Sequence, residues 1–250
     1  MEALLETKNL TKSFGGLYAI NTLNTQFSEG QITGIIGPNG AGKTTLFNLI
    51  TGWITPSGGQ VFFKGQDITR LPPYKIVQKG ISRTFQVTNI FPGLTTFANI
   101  RVPILARVGK SLSMVDSVDK ASEINEETME ILELVGLLEE RDKIASSLPH
   151  GYQRCLQVGI GLASNPKLLL LDEVTAGMSP EESANIINLL KELSDKKGVT
   201  IVFTEHDLDM VFSAAEKIIV LDKGSIIAEG TGIEIKKIKA VKVAYLGEEE

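Results

Sequence analysis

Residues Gly37-Pro38-Asn39-Gly40-Ala41-Gly42-Lys43-Thr44 fit the pattern G-x-x-x-x-G-K-[ST], a spacing with a physical reason. Glycines let backbone N–H groups turn inward around phosphate oxygens, and a helix that follows presents the positive end of its dipole. Lys43 can then reach β- and γ-phosphates, and the Thr44 hydroxyl can ligate Mg²⁺. Out of context the same residues are a glycine-rich turn with a chance lysine. A second piece, Leu168-Leu169-Leu170-Leu171-Asp172-Glu173, is an apolar run ending in two carboxylates. Asp172 suits a divalent cation, and Glu173 is placed to polarise an attacking water. Alone, such a run is often only a strand with a solvated end. Paired with a phosphate loop over a hundred residues upstream, it implies hydrolysis of a nucleoside triphosphate.

Both pieces need elements to hold them. Residues 31–36 (QITGII) read as a strand running into the loop, and TTLFNLITGW after it places Leu46, Leu49 and Ile50 at helical spacing. Residues 60–63 (QVFF) read as a short strand between glycines. From 89 to 165 the texture is helical, with one clear signal in EETMEILELVGLL, where Met129, Leu132, Val135 and Leu138 share a face. Residues 167–171 and 199–204 read as buried parallel strands. Ser179-Pro180-Glu181-Glu182 supplies an N-cap, a first-turn proline and a carboxylate three residues on, and Lys196-Lys197-Gly198 supplies the matching end. Residues 217–230 read as a hairpin turning at Asp222-Lys223-Gly224, and the terminal acids 248–250 as a solvated tail. Trp53 and the single cysteine, Cys155, are assigned to packing rather than chemistry.

Composition narrows the class further. The 250 residues are 42% hydrophobic and 22% charged, which suits an ordinary globular core, and the net charge of -5 does not favour a nucleic-acid partner. One cysteine cannot form an internal disulfide. The start, MEALLETKNLTKSF, does not read as a signal peptide, and no window approaches the about 20 apolar residues of a membrane span. A role at a membrane would therefore run through a partner.

Further residues carry a family resemblance. Phe14 (in TKSFGG), Gln86 (in RTFQ), the segment Leu148-Pro149-His150-Gly151-Tyr152-Gln153-Arg154 and His206 (in FTEHD) stand in order around the two motifs. Each has an ordinary alternative: core for Phe14, an unremarkable polar residue for Gln86, a capping or surface histidine for His206. Together the chain resembles the ATP-binding cassette subunits of ABC transporters over nearly its full length. That resemblance implies an α/β P-loop NTPase cassette: a mixed β-sheet core, an inserted helical subdomain and a small N-terminal antiparallel β region. It implies one ATPase domain over 1–250, with 1–88 and 166–250 as core and 89–165 as the helical subdomain carrying the signature loop. It further implies ATP and Mg²⁺ as cofactors. Phe14 would stack on adenine; residues 37–44 and Thr45 would hold phosphate; Thr44, Gln86 and Asp172 would serve the metal. Lys43, Glu173 and His206 would be catalytic. Leu148, Pro149, His150, Gly151 and Tyr152 would close over ATP bound to a second subunit.

Phrases such as FGGLYAI, NPKLLLLDEVTAGMSP and VAYLGEEE are similar to those of branched-chain (hydrophobic) amino acid uptake ATPases. This implies transmembrane permease subunits, a second ATP-binding subunit as hetero- or homodimer, an external substrate-binding protein reached indirectly, and a cytoplasmic place on the inner face of the membrane. Urea and other amino-acid importers share much of this wording, and the transported molecule is not legible here.

The usual signature is L-S-G-G-Q; here Pro149, His150 and Tyr152 replace Ser, the first Gly and Gln. Pro149 offers a γ-phosphate neither a hydroxyl nor an N–H, leaving Gly151 and the dipole of the next helix. The expectation is weaker ATP holding opposite this signature, as in a heterodimer with unequal sites. Val174 and Ser179 are smaller departures, at positions where proline and aspartate are common. Two other readings are a DNA- or ribosome-directed ABC ATPase, which lacks its usual second cassette, coiled coil or basic arm here, and a regulatory protein that hydrolyses ATP weakly. Nothing favours guanine or an acceptor substrate.

Overall fold

The computed structural model describes residues 3–84, 90–109 and 117–238. Three neighbouring parallel strands place the chemistry. β3 (Ile32–Ile36) runs into the phosphate loop, β7 (Leu168–Asp172) ends on the first acid, and β8 (Thr200–Thr204) stops two residues before His206. β8 lies between the other two, and its Thr204 is level with Ile35 on one side and Asp172 on the other. The three C-terminal ends therefore open on one edge, where open α/β sheets bind ligands. The full order is β10-β9-β3-β8-β7-β6, with β9 (Lys217–Asp222) and β6 (Ile81–Arg83) also parallel. β10 (Ser225–Gly230) closes one edge as an antiparallel hairpin with β9, through a turn in which Lys223 and Gly224 both have positive φ. The expected hairpin is present.

β7 is buried on both faces, and its residues alternate between two cores. Leu168 and Leu170 pack with Phe27, Leu5 and Phe63 of a second sheet and with Leu46, Phe47 and Ile50 of helix α1 (Lys43–Ile50). Leu169 and Leu171 pack on the opposite side, with Ile186 and Leu190 of α6 (Pro180–Lys197) and Val211 of α7 (Leu208–Ala214). Burial on both faces is why these strands read as unbroken apolar runs. The second sheet is antiparallel, in order β2-β1-β4-β5: β1 (Ala3–Phe14), β2 (Leu17–Ser28), β4 (Gly58–Phe63) and β5 (Gln66–Asp67). The mixed sheet core and the N-terminal antiparallel region are as the sequence resemblance implied.

After a short helix α2 (Pro73–Gln78), the chain between β6 and β7 carries α3 (Thr96–Val108), α4 (Ser117–Leu134) and α5 (His150–Leu162). Ile100, Ile104, Leu132, Leu156 and Val158 join these helices to the same core as Leu169 and Leu171. The helical face read over Met129–Leu138 is interrupted: α4 ends at Leu134, Gly136 turns with φ 70°, and Leu138 begins a short 3₁₀ turn. α6 starts on the full reciprocal capping box of Ser179 and Glu182 and ends at Gly198 in the left-handed conformation, as read from the sequence. A last helix, α8 (Gly232–Ile235), follows β10. Among the described residues no helix is long and apolar enough to cross a membrane.

Cys155 packs against the core, and burial pushes its thiol pKa up to about 11, which leaves it unreactive. Trp53 corrects the packing assignment: at 59% exposure it stands on the surface just beyond α1. The large indole invites a core reading, but the chain has already turned out of the helix at Thr51. The acidic tail at 248–250 and the VAYLGEEE phrase lie outside the described residues.

Candidate functional site

The phosphate loop is drawn tight by close backbone approach. Gly42 caps α1 with φ 109°, and a Cβ there would stand 2.6 Å from the Ala19 carbonyl oxygen of β2, so only glycine fits. No side chain caps α1, which leaves its first N–H groups open toward a cavity of ≈ 250 Å³. Residues 38–45 line that cavity together with Ala19 and Glu173. The loop is pinned by hydrogen bonds from the Ala41 N–H to the Pro38 carbonyl (3.1 Å) and from the Gly224 N–H to the Ala41 carbonyl (2.9 Å). The hairpin turn thus buttresses the loop from behind.

Lys43 bends back over the loop and donates to the Gly37 carbonyl and, at 3.3 Å, to the Pro38 carbonyl. Burial pulls its pKa below the ordinary lysine value, and the carboxylates of Glu173 and Asp172 oppose that shift. Both acids are therefore within electrostatic reach of the loop ammonium. An ammonium that donates to two loop carbonyls is well placed to exchange them for phosphate oxygens.

Asp172 is buried, and each carboxylate oxygen has a donor: Thr204 Oγ1 to Oδ1 at 2.7 Å, Arg83 Nη2 to Oδ2 at 2.9 Å. Glu173 follows with φ 51°, a left-handed conformation rare for a residue with a side chain. That reversal turns its carboxylate from the strand into the lining of the cavity. The backbone is anchored there by the Glu173 N–H donating to the Thr204 carbonyl at 3.0 Å. His206 Nε2 lies 2.9 Å from Glu173 Oε1, a contact in which the ring N–H donates to the carboxylate. Lys43, Thr44 and the distant Glu173 thus line one cavity, with Asp172 within electrostatic reach of Lys43 and His206 joined to Glu173.

Three participants were not singled out in the sequence. Arg83 holds Asp172. Glu205, beside His206, is buried and accepts the Thr175 N–H at 2.7 Å, which ties the β8 loop to the loop after Glu173. Burial raises its pKa above the usual carboxylate value. Arg154, on α5, is buried and feels the charges of Glu205 and Glu173. The only sequence signal was adjacency, Arg83 within RTFQ, Glu205 within FTEHD and Arg154 at the end of the signature segment.

Other expected residues lie elsewhere. Phe14 ends β1, half-exposed, with Lys12 Nζ 4.9 Å from its ring centre, and it does not line the loop cavity. Gln86 lies outside the described residues. None of Leu148, Pro149, His150, Gly151 or Tyr152 lines the cavity either. Leu148 is buried, Pro149 precedes α5 without a side-chain cap, and Tyr152 is exposed. Gly151 meets α6: a Cβ there would lie 2.2 Å from Glu182 Oε1. His150 approaches Gly177, where a Cβ would be 3.4 Å from the imidazole Cε1. The signature segment therefore packs on the loop and cap that follow Glu173, not on its own phosphate loop.

A phosphate loop on a strand–helix junction, with two acids and a histidine on the adjoining strand ends, defines a nucleotide-hydrolysing cassette. The family described as ABC transporter matches residues 20–176. The high-affinity branched-chain amino acid transport ATP-binding protein BraF of Pseudomonas aeruginosa is 37% identical over 98% of both chains. LivG proteins with the corresponding descriptions are 36% identical in Escherichia coli K12 (99% of both chains) and 37% identical in Archaeoglobus fulgidus (99% of this chain, 96% of that one). Among solved structures, the ADP conformation of an ATP-binding cassette of an ABC transporter superposes with TM-score 0.86 at 32% identity, covering 99% of this chain and all of that one. A dimeric post-hydrolysis cassette bound to ADP and Pi gives 0.79 at 27% identity, covering 91% and 98%. The chain belongs to the ABC transporter family, as an ATP-binding and ATP-hydrolysing subunit.

Proposed function

We propose that this chain powers the uptake of branched-chain or other hydrophobic amino acids, by binding and hydrolysing Mg²⁺-ATP beneath transmembrane permease subunits on the inner face of the cell membrane. It would work beside a second ATP-binding subunit, with an external substrate-binding protein feeding the permeases. Lys43 and Glu173 lining one cavity, with His206 Nε2 2.9 Å from Glu173 Oε1, carry the catalytic half of this reading. Identity of 36–37% across 98–99% of relatives described as branched-chain amino acid transport ATP-binding proteins supports the transport half.

The residues divide the work. Backbone N–H groups of residues 39–45 and the Lys43 ammonium bind phosphate and stabilise charge on the transferring group. Glu173 orients or deprotonates water while His206 holds its carboxylate in place. The donor set suits a small hard cation: Thr44, which lines the cavity, carries a hydroxyl, and Asp172, within electrostatic reach of Lys43, carries a carboxylate. Among the described residues no group of three or more His, Cys, Asp or Glu could hold a metal alone, so nucleotide phosphates and water would complete the shell. Mg²⁺ would supply charge neutralisation at the phosphates. Phe14 would meet the adenine, and Gln86 the metal and the permease. We read residues 1–88 with 166–250 as the catalytic core and 89–165 as the helical subdomain carrying the signature, all within one domain.

The test is a mild-detergent purification of the tagged chain from its native membranes, followed by mass spectrometry and ATPase assay. Co-elution of two polytopic permeases and a second cassette subunit, with turnover stimulated by a hydrophobic amino acid and its binding protein, is expected. Soluble partners alone would overturn the transport reading.

A further inference from the structure

Buried ion pairs are poor sources of stability, because each charge gives up its hydration and an apolar pair often does as well. Arg83 and Asp172 form such a pair, with side chains 4% and 3% exposed. Its geometry points to a reason other than stability. Arg83 Nη2 donates to Asp172 Oδ2 at 2.9 Å, and Nη1 donates to Asn48 Oδ1 at 2.6 Å. The guanidinium also lies over Phe47, 5.4 Å from the ring centre. Two edges and one face of a planar group are fixed. A lysine ammonium, a point charge on a flexible stem, cannot reproduce this fork.

What the fork joins is more telling. Asn48 stands four residues after Thr44 on α1, on the same helix face one turn below it. Asp172 is the other hard-oxygen donor at the site. Arg83 thus braces α1 against the end of β7 and fixes the spacing of Thr44 and Asp172. Thr204 holds the second Asp172 oxygen, so the carboxylate plane is set from both sides.

We propose that Arg83 is a positioning residue for divalent-cation use: it holds Asp172 and the Thr44 helix at the separation from which both can serve a nucleotide-bound Mg²⁺. This rests on the reading of Thr44 and Asp172 given above. Outer partners of ligating carboxylates generally set how well the metal is held, at about 10–100-fold in affinity. Arg83 belongs to that class, although 89 residues separate it from Asp172 in sequence.

The test is a Mg²⁺ titration of the full chain with a fluorescent ATP analogue, following binding rather than turnover, against parallel binding in EDTA. For Arg83→Met the Mg²⁺ concentration needed to tighten binding should rise about 10–100-fold, while affinity in EDTA stays within about twofold of wild type. Arg83→Lys should fall between the two, and Asn48→Ala, which frees one edge of the guanidinium, should shift in the same direction by less. Should Arg83→Met fail to fold, the last two variants still decide the matter. A wild-type Mg²⁺ dependence in the variants, or an equal loss in EDTA, would overturn the proposal and leave Arg83 a fold residue. A wild-type chain whose nucleotide binding ignores Mg²⁺ would instead remove the metal reading itself, and this proposal with it.

Discussion

Glu173 occupies a backbone conformation that costs on the order of 1 kcal/mol for a residue with a Cβ. The surrounding bonds hold it there: its N–H on the Thr204 carbonyl, and its carboxylate against His206. The reversal aims the side chain into the cavity rather than along the strand, which suits a group that must meet a water beside a phosphate. Glu173→Gln keeps the shape and an oxygen for the His206 N–H but removes the base. Purified Glu173→Gln should therefore bind ATP as tightly as wild type while phosphate release falls about 10²–10⁴-fold. Turnover within a few-fold of wild type would deny Glu173 its role. At this scale the sequence was informative where chemistry fixes both residue type and spacing, as in residues 37–44 and at Asp172-Glu173. It was silent about Arg83 and Glu205, whose partners are Asp172 and Thr175. Nothing local marks an arginine on a three-residue strand as the brace of an acid so far along the chain.

Strands β3, β7 and β8 were legible because burial on two faces leaves an unbroken apolar run, and α6 because its caps are written in side-chain chemistry. β1 and β2 were not: register shifts between Ala3 and Ser13 break the alternation that would have marked a half-buried strand. α3 was hidden by Pro103 and by the β-branched residues Ile100 and Val102, which argue against a helix locally. Packing of Ile100 and Ile104 against the core overrides them. The start of α5 holds a less obvious dependence. Gly151 sits where any Cβ would strike Glu182, the residue that closes the α6 capping box on Ser179. Gly151→Ala should therefore act through the other helix, lowering Tm by about 2–4 °C. Made together with Glu182→Ala, its cost should largely vanish, a non-additivity that calorimetry on the four-member cycle would reveal. Additive losses would mean that Gly151 matters for something other than this approach.

At the scale of the whole molecule, the signature segment and the phosphate loop belong to one chain but not to one cavity. Leu148–Tyr152 faces the loop after Glu173, with His150 near Gly177 and Gly151 against Glu182. On the proposed reading, a signature that contacts ATP would then meet the nucleotide of another subunit. What this chain offers such a partner is unusual: Pro149 at the N-cap of α5, with no hydroxyl and no N–H, and Tyr152 exposed one turn on. The remaining attraction is the open N-terminus of α5, a favourable dipole worth about 0.3–1 kcal/mol for an anion. A serine hydroxyl donating to a charged phosphate oxygen would add about 1.5–3 kcal/mol. Pro149→Ser/Tyr152→Gln, assembled with its partner cassette, should hence tighten ATP at the partner's phosphate loop by about tenfold or more. The phosphate loop of this chain, facing the partner's signature, should keep its affinity. Site-resolved binding, with the lysine of one phosphate loop changed to alanine at a time, separates the two. An equal change at both sites, or at neither, would remove the case for unequal sites, because on the proposed reading residues 148–152 would meet the partner's nucleotide alone.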